Sequence, residues 1–264
     1  MKNNKIMIIV DELPLHHPKY INELIYYFNK NNWITNVCII KKNKNKKSLN
    51  DFFIKKFFFL SLRDKFKLIL LKLFITLFNL VFKKGYNNVF YSVESVLKCY
   101  SIKNYKICDD INLKKNIDFI KKFQPDFILS SNSQIFSNDL IKIPKIACIN
   151  RHSSLLPSYK GLMPIFHAIN NNELNLGVTI HLMTDRIDDG DIVIQKKLQN
   201  LNYNNLNDIY SKIFNLSISC TIEAIEILLN NKEFKQITGI KESYFSRTLY
   251  VEISEFYKKK YSFF

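Results

Sequence analysis

Apolar positions along the chain alternate between two rhythms. Residues 5–10 (KIMIIV) form a short unbroken apolar run, the length of a buried strand. Residues 18–30 then repeat apolar side chains at helical spacing, with a proline at the start, and residues 34–40 (ITNVCII) read as a second strand. Strand, helix and strand within the first 40 residues are the opening of a parallel α/β sheet. After a charged loop at 41–47 and an insertion over 51–84 the rhythm resumes, with a helix at 92–100, a strand at 105–108 and a helix at 113–123. Gln124-Pro125 breaks that helix, because proline disfavours helical geometry in the residue before it. Strands follow at 126–130 (DFILS), 143–150, 177–183 and 192–197, then a long amphipathic helix at 206–229. The expected architecture is an α/β unit over 1–230, a mostly parallel open sheet with flanking helices, followed by a short charged and aromatic C-terminal extension over 231–264.

Residues 65–84 (KFKLILLKLFITLFNLVFKK) stand apart. The apolar length approaches a membrane span, but Lys72 interrupts it, so the segment is not expected to cross a bilayer. Lys65, Lys72, Thr76, Asn79 and Lys83 draw one narrow polar stripe down a helix and leave a wide apolar face. Such a face predicts burial against the sheet or against a second subunit. The alternative is a basic helix lying on a membrane surface.

The formal charge of +16 would suit a polyanionic partner. The excess is nearly all lysine among many asparagines, and the arginines are only Arg63, Arg151, Arg186 and Arg247. Nucleic-acid surfaces favour the bidentate guanidinium, so no nucleic-acid partner is expected. The five cysteines show no CxxC and no close histidine, which leaves metal binding and a paired disulfide framework unsupported. Cys38 and Cys148 sit in apolar runs as small core residues. The opening apolar run is too short for a signal peptide, which predicts a cytoplasmic protein.

Candidate chemistry concentrates between residues 144 and 190, which hold three of the five glycines, three of the six prolines, and His152, His167 and His181. On a strand ending at residue 152, alternation places Asn150 and His152 together on one face and Arg151 on the other. In open α/β sheets ligands bind at that carboxyl end. On the strand at 177–183 the same alternation pairs Thr179 with His181, and the strand runs into Asp185, Asp188, Asp189 and Asp191. Four carboxylates in seven residues repel one another, which calls for a function. A calcium loop fails, since counting from Asp185 the twelfth position is Lys196. An amide, an imidazole and a carboxylate suffice for acyl transfer to an amine, supplying oxyanion donors and a route for the proton without a serine or cysteine nucleophile.

Asn150-Arg151-His152-Ser153-Ser154-Leu155-Leu156-Pro157-Ser158-Tyr159-Lys160-Gly161 resembles the N-x-H-x-S-L-L-P-x-x-x-G signature of the folate-dependent formyltransferases. Gly177-Val178-Thr179-Ile180-His181, followed by Ile187-Asp188-Asp189-Gly190-Asp191, resembles that family's second signature. The resemblance implies a Rossmann-like fold and 10-formyltetrahydrofolate as the formyl donor, with no metal. It implies that Asn150 and His152 stabilise the tetrahedral intermediate, and that Asp188 tunes His152 and takes part in proton removal. It places the pterin against Ser131, Asn132, Gln134, Ile135 and Phe136 and near Asp185. Arg151 is atypical between the asparagine and the histidine. His16 and His17, which follow the first strand at its ligand-facing end, and His181 are candidates for substrate contact. His167 reads as structural, and Asp189 and Asp191 as capping or solvated acids.

The family divides by acceptor among glycinamide ribonucleotide, methionyl-tRNA and amino sugars carried on a nucleotide. The loop at 10–18 (VDELPLHHP) lacks the glycines that let a phosphate approach the backbone after the first strand. Residues 231–264 are too few for the β-barrel that follows the catalytic domain of the methionyl-tRNA enzymes. The insertion and the ending Glu242-Ser243-Tyr244-Phe245-Ser246 resemble formyltransferases encoded with surface-glycan enzymes. A nucleotide-linked amino sugar is therefore the expected acceptor and a homodimer the expected assembly. A 10-formyltetrahydrofolate hydrolase and a non-catalytic basic module for membrane or RNA remain as rivals.

Overall fold

Residues 3–41, 60–199, 202–246 and 250–264 are described by a computed structural model. The loop expected at 41–47 lies outside them beyond Lys41, as does the insertion up to residue 59. The first apolar run is β1 (Lys5–Asp11), followed by α1 (His17–Lys30) and β2 (Ile34–Ile40), and β2 pairs parallel to β1 from Lys5↔Ile34 to Asp11↔Ile40. Next come α2 (Leu62–Val81), α3 (Val93–Cys99) and β3 (Tyr105–Cys108), which adds parallel to β2. The chain then returns through α4 (Lys114–Phe123) to β4 (Phe127–Ser131), on the other side of β1. After α5 (Asn138–Ile141), β5 (Ala147–His152) pairs parallel to β4. Then follow β6 (Lys160–Gly161), α6 (Pro164–Asn170), β7 (Gly177–Leu182), β8 (Ile192–Lys197), α7 (Leu206–Leu229), β9 (Tyr244–Phe245) and α8 (Tyr250–Lys258).

The main sheet has seven strands in the order β3-β2-β1-β4-β5-β7-β8. It is parallel up to β5, and β7 and β8 join antiparallel. Strand order reverses between β1 and β4, so a crevice opens at their carboxyl ends, beside β5. Alternation along β1 sends Ile6, Ile8 and Val10 to one face, where they meet Tyr20, Leu24 and Ile25 of α1 and Ile213 and Ala224 of α7. Met7 and Ile9 turn to the other face with Ile120, Ile128, Phe136, Leu140 and Cys148.

Two expectations are corrected. Strand β5 begins at Ala147 rather than at residue 143 and continues to His152. Ile143 still closes the turn after α5, Pro144 has no N–H, and Lys145 and Ile146 bond back to Pro125 and Asp126, so the ladder starts later. Helix α2 is not buried against the sheet. Asp64 is its one buried residue, and Leu62, Phe66, Leu73, Leu77 and Leu80 are 57–84% exposed. An apolar stripe specifies which side avoids water, not what covers it. The helix is tethered at its start, where Asp64 accepts from the Tyr257 hydroxyl (2.8 Å), and along Phe74 and Phe78, which stack edge-on against Tyr91.

Past α7, β9 pairs parallel to β6, and Ile253 and Phe256 of α8 enter the same core as the main sheet, Phe256 lying 5.2 Å from the ring of Phe166. Among the described residues no helix is long and apolar enough to cross a membrane.

Candidate active site

Asn150 and His152 close β5, with side chains directed away from Ala147 and Ile149 of the α1–α7 face. Antiparallel pairing with β7 sets Asn150 opposite His181 and His152 opposite Thr179. Directly opposed residues share a sheet face, so the two signatures meet side by side. Asp188, in the β7–β8 loop, adopts φ +49° and reaches back over both strand ends. The loop closes through Leu182 N to Asp191 O (2.9 Å). Gly190 permits that approach, since a Cβ there would stand 1.8 Å from the Leu182 carbonyl oxygen.

One carboxylate gathers the group. Asp188 Oδ2 lies 3.5 Å from His152 Nδ1 and accepts from the Gly161 backbone N–H at 2.8 Å. Asp188 Oδ1 accepts from Asn150 Nδ2 at 3.3 Å and lies 3.6 Å from His181 Nε2. Carbonyl oxygens fix the tautomers. His181 Nδ1 lies 2.9 Å from Leu182 O, which only accepts, so the proton sits on Nδ1 and the Nε2 lone pair meets Asn150 Nδ2 at 3.2 Å. His152 Nε2 lies 2.9 Å from Tyr159 O and carries the proton there, which leaves Nδ1 as its basic nitrogen, facing Asp188.

Burial alone would raise the Asp188 carboxyl, but the charge on a protonated His152, the second imidazole and the Gly161 N–H hold it well below the carboxylate range at acid pH. Burial pulls His152 down, with the Asp188 charge opposing it. The resting pair is a carboxylate and a neutral imidazole. A proton arriving at His152 Nδ1 is stabilised by the adjacent charge, while the Asn150 amide lies beside it, bonded to Asp188 and His181.

The residues expected at the pterin site divide by environment. Asn132 accepts from Gln134 N (2.7 Å) and donates to Ser130 (3.1 Å), while Ile135 and Asp185 are exposed. Gln134 spends its side chain on Asp109 O and Ile111 N, and Phe136 is buried in the second core layer. Ser131 is buried, with His17 Nε2 and Arg151 Nε each 3.0 Å from its hydroxyl. His16 stacks on Phe214 and Tyr210, and burial, aided by Arg151, lowers its pKa to about 4. His17 is likewise pulled well below its ordinary value by burial. His167 packs against Phe245, ring centroids 4.3 Å apart. Among the described residues no three acidic, histidine or cysteine side chains are grouped to hold a metal ion.

Asp189 is neither a cap nor merely solvated. It pairs with Lys160 at 2.5 Å and Arg186 at 3.0 Å, and Lys160 also holds Glu242 at 2.7 Å. Lys160, buried and adjacent to Gly161, thereby grips the loop next to Asp188, and Ser243 Oγ accepts from Tyr159 N at 2.8 Å. Sequence reasoning missed this clasp. Its one signal was a lysine and a glycine adjoining at the end of the first signature.

A profile of the formyl transferase family matches residues 94–225, half of the chain, and includes every residue of the cluster. A methionyl-tRNA formyltransferase of Borrelia garinii is 37% identical over 136 residues, 50% of this chain and 43% of that protein. The chain thus spans less than half the length of the curated relatives it matches. Among solved structures, a sugar N-formyltransferase from a Shewanella species superposes with TM-score 0.57 at 18% identity, covering 96% of this chain and 86% of that one. WlaRD, a sugar 3N-formyl transferase solved with dTDP and 5-N-formyl-THF, superposes with TM-score 0.54 at 22% identity, covering 94% and 71%. The structural likenesses speak for the fold, and the profile, spanning both signatures, identifies the chain as a member of the formyl transferase family.

Proposed function

We propose that the protein transfers the formyl group of 10-formyltetrahydrofolate directly onto an amine, that of an amino sugar carried on a nucleotide. The observation that carries the reading is the convergence of Asn150, His152 and Asp188 through contacts of 3.3 and 3.5 Å. The bound donor supplies an acyl carbon whose oxygen gathers negative charge as an amine adds. Asn150 Nδ2, whose two N–H groups rest on Asp188 and His181, turns one of them to that charge, and His152 Nδ1, backed by Asp188, takes the proton the amine sheds. Water-accessible Asn132, Ile135 and Asp185 would hold the pterin, with Gln134 and Phe136 shaping the loop beneath it. Direct transfer fits the surroundings, since Cys148 lies in the second core layer with its thiol pushed up by burial, and Ser154 is bonded to Ser158 O.

Support for the acceptor comes from the 10–18 loop without glycine, and from Glu242 and Ser243, which the clasp ties to Lys160 and Tyr159. A folate-dependent step on a nucleotide sugar belongs in the cytoplasm. The assembly is a homodimer, in which a second copy lays an identical α2 stripe along the first. A panel of nucleotide-linked amino sugars, with glycinamide ribonucleotide and methionyl-tRNA alongside, tests the reading by mass detection of the formylated product. Product from an amino sugar is expected. Turnover that proceeds equally without any amine would instead establish a hydrolase, and no folate-dependent turnover would leave a binding module.

A further inference from the structure

Arg151 sits between the two catalytic residues of β5 but projects to the opposite face, with Ala147 and Ile149. Its Nε donates to Ser131 Oγ at 3.0 Å, and its Nη1 to Ser153 Oγ at 2.9 Å and Ser217 Oγ at 3.3 Å. The guanidinium lies 4.1 Å from the ring of Phe214 and 5.8 Å from that of Tyr20. None of these partners is an acid, and among the described residues no carboxylate pairs with Arg151. A guanidinium does not shed its proton, so a full positive charge is held in a largely dehydrated place.

Three features make this charge a receptor rather than a strut. Nη2, with two N–H groups, has no hydrogen bond to a described residue, and Arg151 as a whole is only partly buried. The first turn of α1, joined to Arg151 through Ser131 and His17, contains no acidic residue, so no carboxylate there competes for the guanidinium. His16 and His17 are kept neutral by burial and by Arg151 itself, which leaves the guanidinium as the patch's cation. All of this lies at the carboxyl ends of β1, β4 and β5, where the strand order reverses.

We propose that Arg151 binds a phosphate group of the amine acceptor, its Nη2 edge receiving the phosphate oxygens while the amine reaches Asn150 and His152. This rests on the reading of the acceptor as nucleotide-linked. It assigns a specificity role to the atypical residue at the open position between Asn150 and His152. An arginine at this place selects phosphorylated acceptors without a glycine-rich loop.

Calorimetric titration of the whole chain with inorganic phosphate and with pyrophosphate, without folate or amine, tests it. Wild type is expected to bind both, more weakly as salt rises. Arg151→Leu should lose at least tenfold in affinity with an unchanged unfolding midpoint, and Arg151→Lys should fall between. Equal affinity in wild type and Arg151→Leu, no binding by wild type at millimolar phosphate, or tighter binding of acetate than of phosphate would each overturn the proposal. Should the variants unfold, phosphate must protect Arg151 of the wild-type chain from phenylglyoxal, read by peptide mass, and absence of protection overturns it as well. The titration involves no formyl transfer, so its failure removes the phosphate receptor and leaves the reaction class standing.

Discussion

The backbone N–H of Gly161 donates to Asp188 Oδ2 at 2.8 Å, so the last residue of the first signature holds the acid of the second. Gly161 has φ +92°, and a Cβ there would stand 2.2 Å from the Phe245 carbonyl oxygen. Gly161→Ala should therefore displace β9 and loosen Asp188 together. A denaturant titration should show a loss of at least about 1–2 kcal/mol from the left-handed backbone alone, and turnover should fall even where the variant stays folded.

Asn150→Ala and His152→Ala should each lower turnover by two orders of magnitude or more while leaving the circular dichroism spectrum unchanged. Removal of an oxyanion-hole donor typically costs about 2.7–4 kcal/mol of transition-state stabilisation. Near wild-type rates with the formylated product identified would end the assignment of these two residues.

Asp188→Asn retains the loop's shape and removes its charge. That charge raises the His152 pKa against the larger effect of burial, so its loss lets His152 fall further. The rate should drop, and the acid limb of the pH–rate profile, where the imidazole must be neutral, should move to lower pH. Stability follows the same signs. A carboxyl held low in the folded state stabilises above its unfolded pKa of about 3.9 and ceases to do so as pH falls through the folded value. The variant should accordingly be less stable than wild type at neutral pH, with the gap narrowing at strongly acidic pH. A pH–rate profile that does not move would transfer the tuning role to another of the loop's aspartates.

How far the site was legible in the sequence depended on whether a residue acts through local spacing. Asn150, His152 and His181 were readable because strand alternation decides the face of each. Asp188 needed a resemblance, since nothing in four nearby aspartates says which one the chain folds back onto the strand ends. The pairing of Lys160 with Asp189 is a contact across 29 residues with no periodic trace. Strand β9 is two residues long, below what alternation can register, although the residues just before it, Glu242 and Ser243, contact the first signature. Gln134 and Phe136 matched a family segment, yet their side chains are consumed by Asp109, Ile111 and the core. Most sheet strands were legible as apolar runs, and the late start of β5 was not, because hydrophobicity does not distinguish a ladder residue from one bonded to the preceding turn.

Stability should fall as pH drops below the usual histidine range. His16 is lowered to about 4, and His152 and His17 are also lowered, so each must take up a proton that the unfolded chain binds near pH 6.5. The folded state is favoured above that pH, and the benefit is lost as pH falls towards the folded values. Every such proton contributes about 1.4 kcal/mol per pH unit over the window between the two pKa values. His16→Phe retains the stacking on Phe214 and Tyr210 and should flatten the slope between pH 6.5 and about 4 by up to that amount. Urea midpoints at a series of pH values measure it, and an unaltered slope would mean that His16 is protonated in the folded protein.

Helix α2 offers the sharpest test of assembly. Leu62, Phe66, Leu73, Leu77 and Leu80 recur at spacings of four, seven, four and three, so they form one stripe, and each is at least 57% exposed. Phe74 and Phe78 are poor choices for probing it, because both pack on Tyr91 within the same chain. Leu73→Asp with Leu77→Asp changes the stripe and leaves those contacts alone. A two-fold dimer joins the same patch on both copies, so the double variant places the new charges on both sides of the seam at once. Wild type should sediment as a dimer, and the variant as a folded monomer with Asn150, His152 and Asp188 still in contact. A variant that aggregates would mean that the stripe belongs to the monomer's own packing. A monomeric wild type that binds anionic vesicles, releases them in salt and loses them on the double substitution would replace the subunit interface by a membrane-surface helix with Lys65, Lys72 and Lys83 along its polar edge.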